Sequence, residues 1–300
     1  MDPATRRLLI FTQFCFGVFP LLGKLAMESF TPRAVLVWRL LIGSGVLLLI
    51  AAVRHGRRAI PGASDLLRLF GLSVLGVIVN QLLFLEGLNR STAVNAGLIM
   101  TIIPVATMGL AAMLGMERLT RRRVIGLSLS VAGVAILFGY ELWRTGASLA
   151  GGTGFGDLLM TLNCISYSLY LVLAKPVLAR VPQIVVVAWV FIFGALTVPW
   201  FVTDVAWMPA DASSRQWLAL GGVLLFPTVL AYLLNTIVLA RTHASTTAAY
   251  IMLQPFVAAS LGILILGERP GLATYITAVC VLAGLWLVSV PAHRAARRAI

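Results

Sequence analysis

The sequence predicts an all-α polytopic membrane protein, with ten transmembrane helices arranged as two inverted five-helix repeats. Three observations predict it. Hydrophobic residues make up 60% of the 300 and charged residues only 11%, with a mean hydropathy of +0.99. A soluble chain is about 45–50% apolar and about 25% charged, and no soluble core of this length hides so much apolar surface. The apolar residues fall into ten runs of about 17–25 residues, each long enough to cross hydrocarbon about 30 Å thick as a helix. Finally, one constant offset of 151 residues aligns rare residues of the first half with their like in the second.

The runs lie near 8–28, 34–53, 66–87, 93–115, 123–140, 155–176, 184–203, 216–239, 246–266 and 272–291. Helix is the required conformation, because an unpaired backbone group in lipid costs several kcal/mol, and the alternation of a barrel strand is absent. The first run follows Arg6 and Arg7 and has the outline of a signal peptide. No small-x-small cleavage site follows it, however, and Lys24 continues a pattern that recurs later in the chain, so it is read as the first span.

Orientation follows from the basic residues, 21 of 23 being Arg. With the N-terminus inside, 16 of them, including Arg54, Arg57, Arg58 and Arg121 to Arg123, fall inside and 7 outside. Both termini are therefore expected in the cytoplasm of a bacterial-type inner (plasma) membrane. The net charge of +13 is read as this topological signal; the basic clusters are too short to track a nucleic-acid backbone, and no nucleic-acid partner is expected.

At the 151-residue offset, Glu117-Arg118 meets Glu268-Arg269, Pro104 meets Pro255, Lys24 meets Lys175, Trp38 meets Trp189, Gly43 meets Gly194, Gly133 meets Gly284, Arg90 meets Arg241 and Ala93 meets Ala244. The chain thus divides into repeats at 1–145 and 152–300. Five spans per half is an odd number, so the second half is expected upside down. Inverted halves with a midplane site and alternating access are the form of a secondary transporter.

Candidate cavity residues are polar groups near span centres, costly there unless they face water or one another. They are Gln13, Asn80, Gln81, Asn163, Tyr167, Tyr170, Trp189, Tyr232, Asn235, Tyr250 and Gln254. Asn163, Tyr167 and Tyr170 share one helical stripe, as do Tyr250 with Gln254 and Tyr232 with Asn235. Neutral amides suit both ends of a zwitterion, and aromatic faces attract an ammonium by about 0.5–2 kcal/mol. The same side chains also serve as interhelical bonds in lipid, worth about 0.6 kcal/mol on average, and Tyr and Trp populate interfacial belts. Lys24 and Lys175 are read as snorkelling to the headgroups. Arg39 is read as a structural clamp paired with Glu86 or Asp157. Pro104 and Pro255 each remove a backbone hydrogen bond inside a span and are proposed to gate.

Several chemistries are excluded or unsupported. Cys15, Cys164 and Cys280 lie in apolar spans with no metal-type spacing, and the three histidines lie in or beside loops, so neither metal, nor cofactor, nor catalytic centre is expected. Gly17 to Lys24 has five residues between its glycines and no Ser or Thr after the lysine, so it is not a phosphate-binding loop. Proton antiport wants a mid-membrane carboxylate, whereas Glu28, Glu86, Glu141 and Asp157 fall near span ends. Facilitated diffusion fits equally well.

The segment Leu239-Ala-Arg-Thr-His-Ala-Ser-Thr-Thr-Ala-Ala-Tyr, then Leu253-Gln-Pro, Leu266-Gly-Glu-Arg-Pro and Ala283-Gly284, resembles the EamA-like family of the drug/metabolite transporter superfamily. Leu88-Asn-Arg-Ser-Thr-Ala, Ile103-Pro104 and Gly115-Met-Glu-Arg repeat the pattern more loosely, and Arg39 after Trp38 looks like that family's basic residue. The resemblance implies ten helices, inverted halves, a central cavity and export of amino acids or related metabolites, with amino-acid exporters of the YddG type the nearest in character. Drug or cation efflux and nutrient uptake are the alternatives, and a membrane-embedded enzyme a more distant one. The expected partners are a small-molecule substrate and the lipid bilayer; the oligomeric state is left open, a monomer being admissible.

Overall fold

The computed structural model describes residues 3–115, 120–144, 153–202, 206–239, 250 and 253–289. All regular structure among them is helical. Seven stretches are long and apolar enough to cross a membrane: Pro3–Ala26, Pro32–Ala59, Ala63–Arg90, Ala93–Met113, Gly154–Leu178, Gln183–Trp200 and Ser214–Leu234. Three shorter apolar helices, Val124–Leu137, Leu253–Leu266 and Leu272–Gly284, fall on the remaining predicted runs. Glu117, Arg118, Arg241 and Ala244 lie outside the described residues.

In chain order the helices are α1 (Pro3–Gly17), α2 (Phe19–Ala26), α3 (Pro32–His55), α4 (Ala63–Ser73), α5 (Val79–Arg90), α6 (Ala93–Met100), α7 (Ile102–Met113), α8 (Arg121–Arg144), α9 (Gly154–Leu178), α10 (Gln183–Ala195), α11 (Val198–Val202), α12 (Ser214–Val223), α13 (Ala231–Leu239), α14 (Leu253–Leu266) and α15 (Leu272–Ser289). Their starts follow local chemistry. Thr31 caps α3 by accepting from the Ala34 N–H at 3.2 Å, with Pro32 at the position that needs no donor. Thr92 caps α6 through the Asn95 N–H at 3.0 Å. Ser213 and Gln216 form a reciprocal capping box at α12.

The 151-residue offset reappears in the fold. Pro32 and Gln183, Ala63 and Ser214, and Arg121 and Leu272 open helices at matching positions. A π-helical turn interrupts both the third run, at Val74–Ile78, and the eighth, at Leu224–Leu230. Counterpart elements pack on one another: α3 on α10, and α8 on α15. Other pairings come in reciprocal form, α5 on α9 and α13 on α1.

Glycine makes the counterpart contacts close. A Cβ on Gly43 would sit 2.7 Å from the Phe191 ring, and one on its counterpart Gly194 would sit 2.8 Å from Leu40 Cδ2. At the α8–α15 crossing, a Cβ on Gly284 would lie 2.3 Å from Ser130 Oγ and 2.4 Å from the Gly126 carbonyl oxygen, while one on Gly133 would lie 2.7 Å from Cys280 Cβ. Thr277 Oγ1 donates to the Gly133 carbonyl across the same crossing at 2.9 Å. Small residues that let backbones approach, with a hydroxyl bonding across, are how helices associate in lipid.

Breaks in the helices are repaired by neighbours. Pro227 has no N–H for the Val223 carbonyl, and the Thr228 hydroxyl donates to that oxygen instead at 2.8 Å. Between α6 and α7 the chain turns at Thr101, three residues before Pro104. From α9, Cys164 Sγ donates to the Ile99 carbonyl at 3.4 Å and Ser168 Oγ to the Ile103 carbonyl at 3.2 Å. Ser166 Oγ donates to the Leu75 carbonyl inside the first π turn at 2.7 Å. Broken helices survive at membrane depth when neighbouring side chains meet the freed groups in this way.

Candidate functional site: a polar hollow between the helices

The helices line a partly open hollow of about 110 Å³. Its polar wall is Gln13 from α1, Arg39 from α3, Asn80 and Gln81 from α5, Asn163 and Tyr167 from α9, Tyr232 from α13 and Gln254 from α14. Its apolar wall is Phe16, Phe19, Phe84, Met100 and Ile103. Three lining pairs are counterparts at the 151-residue offset: Phe16 with Tyr167, Gln81 with Tyr232, and Ile103 with Gln254. The hollow therefore lies where the two halves of the sequence face each other.

The π turns place its side chains. Asn80 and Gln81 lie two and three residues past the first, and Tyr232 two residues past the second. A π turn shifts the helical register by one residue, which brings these positions round to the interior; such turns recur at functional sites. The amides then interlock. Asn80 Nδ2 donates to the Asn163 carbonyl at 3.2 Å, and Asn163 Nδ2 donates to the Asn80 carbonyl at 2.6 Å. Gln254 Nε2 donates to Gln13 Oε1 at 2.6 Å, joining α14 to α1. Phe16 and Phe191 meet the Tyr232 ring edge-on, at 5.8 and 5.2 Å between centres.

Two lining side chains keep polar atoms without a protein partner. Gln81 is 3% exposed, and neither its Oε1 nor its Nε2 is hydrogen-bonded. Arg39 is also 3% exposed; its guanidinium lies 4.0 Å from the Phe19 ring centre, and its Nε and Nη1 are unbonded. An unsatisfied buried neutral group costs about 1–3 kcal/mol. A buried ion costs several kcal/mol, and a desolvated cation–π contact returns only about 2.

The clamp expected of Arg39 is not made. Glu86 pairs with Arg90, one turn along α5. Asp157 is fully buried at the start of α9, where it accepts from Ser91 Oγ and from Asn95 Nδ2 at 3.0 Å. The physical reason is register: the N-terminal turn of α3 places Arg39 two turns inside the helix, level with Phe19, while both carboxylates stay at helix ends. Among the lining residues Arg39 is the one charged side chain.

Of the other sequence candidates, Tyr170 stacks on Tyr167 with centres 5.7 Å apart and packs against Gly76, where a Cβ would come within 2.4 Å of its ring. It backs the wall rather than lining it. Trp189 stands outside the hollow, its Nε1 donating to the Ala59 carbonyl at 2.7 Å and tying α10 to the α3–α4 connection. Tyr250 is half-buried and does not line the hollow. The Asn235 side chain lies outside the described residues. Pro104 and Pro255 directly follow the lining residues Ile103 and Gln254, each at the third position of its helix, α7 and α14.

Composition alone did not single out Phe16, Phe19 and Phe84, which have the same character as lipid-facing residues. Nor did it show what Glu268 does. Its carboxylate accepts from the Ala93 and Val94 N–H groups, at 2.6 and 2.9 Å, and so caps α6 from the other half of the chain. Among the described residues no group of His, Cys, Asp or Glu is gathered that could hold a metal ion.

The model of the EamA-like transporter family matches the chain twice, over residues 7–139 and 154–290. An Archaeoglobus fulgidus protein named as an uncharacterized transporter is 24% identical, covering 98% of this chain and 100% of the relative. Uncharacterized transporter YdfC of Bacillus subtilis is 26% identical over 87% of this chain and 83% of its own length. Protein WALLS ARE THIN 1 of Arabidopsis thaliana is 25% identical over 92% and 80%. A solved crystal structure, 20% identical, shares the fold with a TM-score of 0.66 over 96% of this chain and 97% of that one.

Proposed function

The chain belongs to the EamA-like transporter family, and from that premise we propose that it exports small amphipathic metabolites, amino acids or their relatives, as a secondary transporter. It is a multi-pass membrane transporter, and its substrate is a small molecule. In this reading the seven long and three shorter apolar helices all cross the bilayer, as two antiparallel five-helix halves with both termini in the cytoplasm of an inner membrane. The two halves exchange conformations to open the hollow to either side.

One observation carries the reading: a hollow lined by amides and aromatic rings, at the seam between counterpart residues, with polar atoms that the protein leaves unmatched. Polar groups at membrane depth are costly and mark solute pathways. A volume near 110 Å³ is below the roughly 150 Å³ that takes up benzene in an engineered core. A solute with a side chain calls for more room than this, and in this reading alternating access supplies it.

Transport of a panel of labelled amino acids and cationic drugs into proteoliposomes tests the function; a purified protein that moves none of them while modifying a lipid overturns it. Accessibility labelling of single cysteines tests the topology. Positions 120 and 271, counterparts at the offset, are expected on opposite sides of the membrane.

A further inference from the structure

Arg39 has no role in holding the fold that its contacts reveal. It is buried, faces the hollow, rests on one aromatic ring and leaves two guanidinium nitrogens unbonded. Among the described residues it makes no ion pair. Its counterpart at the 151-residue offset is Val190, so the charge is present in one half only. A buried cation without a counter-ion is tolerated where an anion comes to meet it.

We infer that Arg39 is the anchor for a carboxylate, and that the transported solutes are monoanions or zwitterions bearing one such group beside an apolar body. The inference rests on the transporter reading and narrows its substrate class. A guanidinium donates planar, charge-assisted hydrogen bonds that match a carboxylate. Gln81 lies in the same wall with both ends of its amide unbonded, giving a second donor for the head group and an acceptor for an adjacent ammonium. Phe16, Phe84 and Tyr167 receive the apolar body. A lone amine meets the guanidinium with like charge and no lining carboxylate to offset it, so organic cations are rejected. A phosphate dianion brings twice the charge that one arginine neutralises.

Four probes with one ring and different heads test this in proteoliposomes holding the full chain: labelled phenylalanine, phenylacetate, phenethylamine and phenyl phosphate. Phenylalanine and phenylacetate are expected to move and to compete with each other. Phenethylamine and phenyl phosphate are expected to move at least tenfold more slowly. Arg39→Gln is expected to lower carboxylate transport at least tenfold, and Arg39→Lys to keep the preference for anions with a raised KM.

Phenethylamine moving as fast as phenylacetate overturns the inference while leaving the transporter reading intact. So does a folded Arg39→Gln that moves phenylacetate with wild-type KM. If none of the four moves, the carboxylate assignment fails, and the wider panel of amino acids and drugs decides the transporter reading separately. If Arg39→Gln does not fold, the wild-type ranking of the four heads and the Arg39→Lys kinetics still decide.

Discussion

Replacing Glu268 by Gln is expected to unlatch one face of the molecule. The Glu268 carboxylate, in the second half, accepts from two N–H groups at the first turn of α6, in the first half, at 2.6 and 2.9 Å. Hydrogen bonds to a charged partner contribute about 1.5–3 kcal/mol each and neutral ones about 0.5–1.5. The helix N-terminus adds about 0.3–1 kcal/mol for an anion near the surface. Glutamine keeps one neutral acceptor and turns an amide N–H toward the second backbone N–H. Glu268 is half-buried, so the lower values apply, and the net loss is about 2 kcal/mol, roughly thirty-fold in an equilibrium constant. The contact spans the two halves at one end of α6, so parting them on that face must break it. The assay is maleimide labelling of a single cysteine at the lining position Met100, applied from either side in a background without native cysteines. Labelling from the Glu268 face is expected to rise by up to thirty-fold in Glu268→Gln. An unchanged rate, in a variant with wild-type helix content, refutes the latch.

Other outcomes follow from the same contacts. Gly284→Ala drives a methyl group against the Gly126 carbonyl; backbone cannot step aside like a flexible side chain, so the melting temperature should fall by the equivalent of about 1–3 kcal/mol, whereas Gly45→Ala, which meets nothing within 4 Å, should not lower it. Asn163→Ala removes the 2.6 Å bond to the Asn80 carbonyl, worth about 0.6 kcal/mol in a membrane bundle, so stability should shift little while the KM for transport rises several-fold. Pro104→Ala and Pro255→Ala are expected to slow transport with little change in solute affinity; wild-type rates in both would end the gating assignment.

The sequence carried the helices well, because they are written in residue type and spacing. A run of twenty apolar residues and a Trp or Pro recurring at one offset need no tertiary knowledge. Amides were legible for the same reason: Gln13, Asn80, Gln81, Asn163 and Gln254 are conspicuous among apolar neighbours, and all five line the hollow. Depth and facing were not legible. Arg39 reads as an end-of-helix clamp until α3 is seen to start at Pro32 and carry it inward. Phe16 and Phe84 have no mark that separates a cavity wall from a lipid face. Trp189 looked suited to a solute, but its one donor is taken by the Ala59 carbonyl, a partner 130 residues away in sequence. Glu268 belonged to a visible motif, yet its acceptor role depends on amides 174 and 175 residues distant.

The interruption between α6 and α7 has a further consequence. A gap in a helix within oil would ordinarily close up, since bare carbonyls find no solvent there. Cys164 reaches over from α9 to the Ile99 carbonyl at the end of α6, and Ser168 bonds the Ile103 carbonyl at the start of α7, so both sides of the gap are held to one neighbouring helix. The two rods on either side of Thr101 thus meet at a joint where the Ile99 carbonyl, in the last turn of α6, keeps a partner outside the helix. Bending at such a joint would break fewer backbone hydrogen bonds than bending an unbroken helix, because the ladder is already interrupted there.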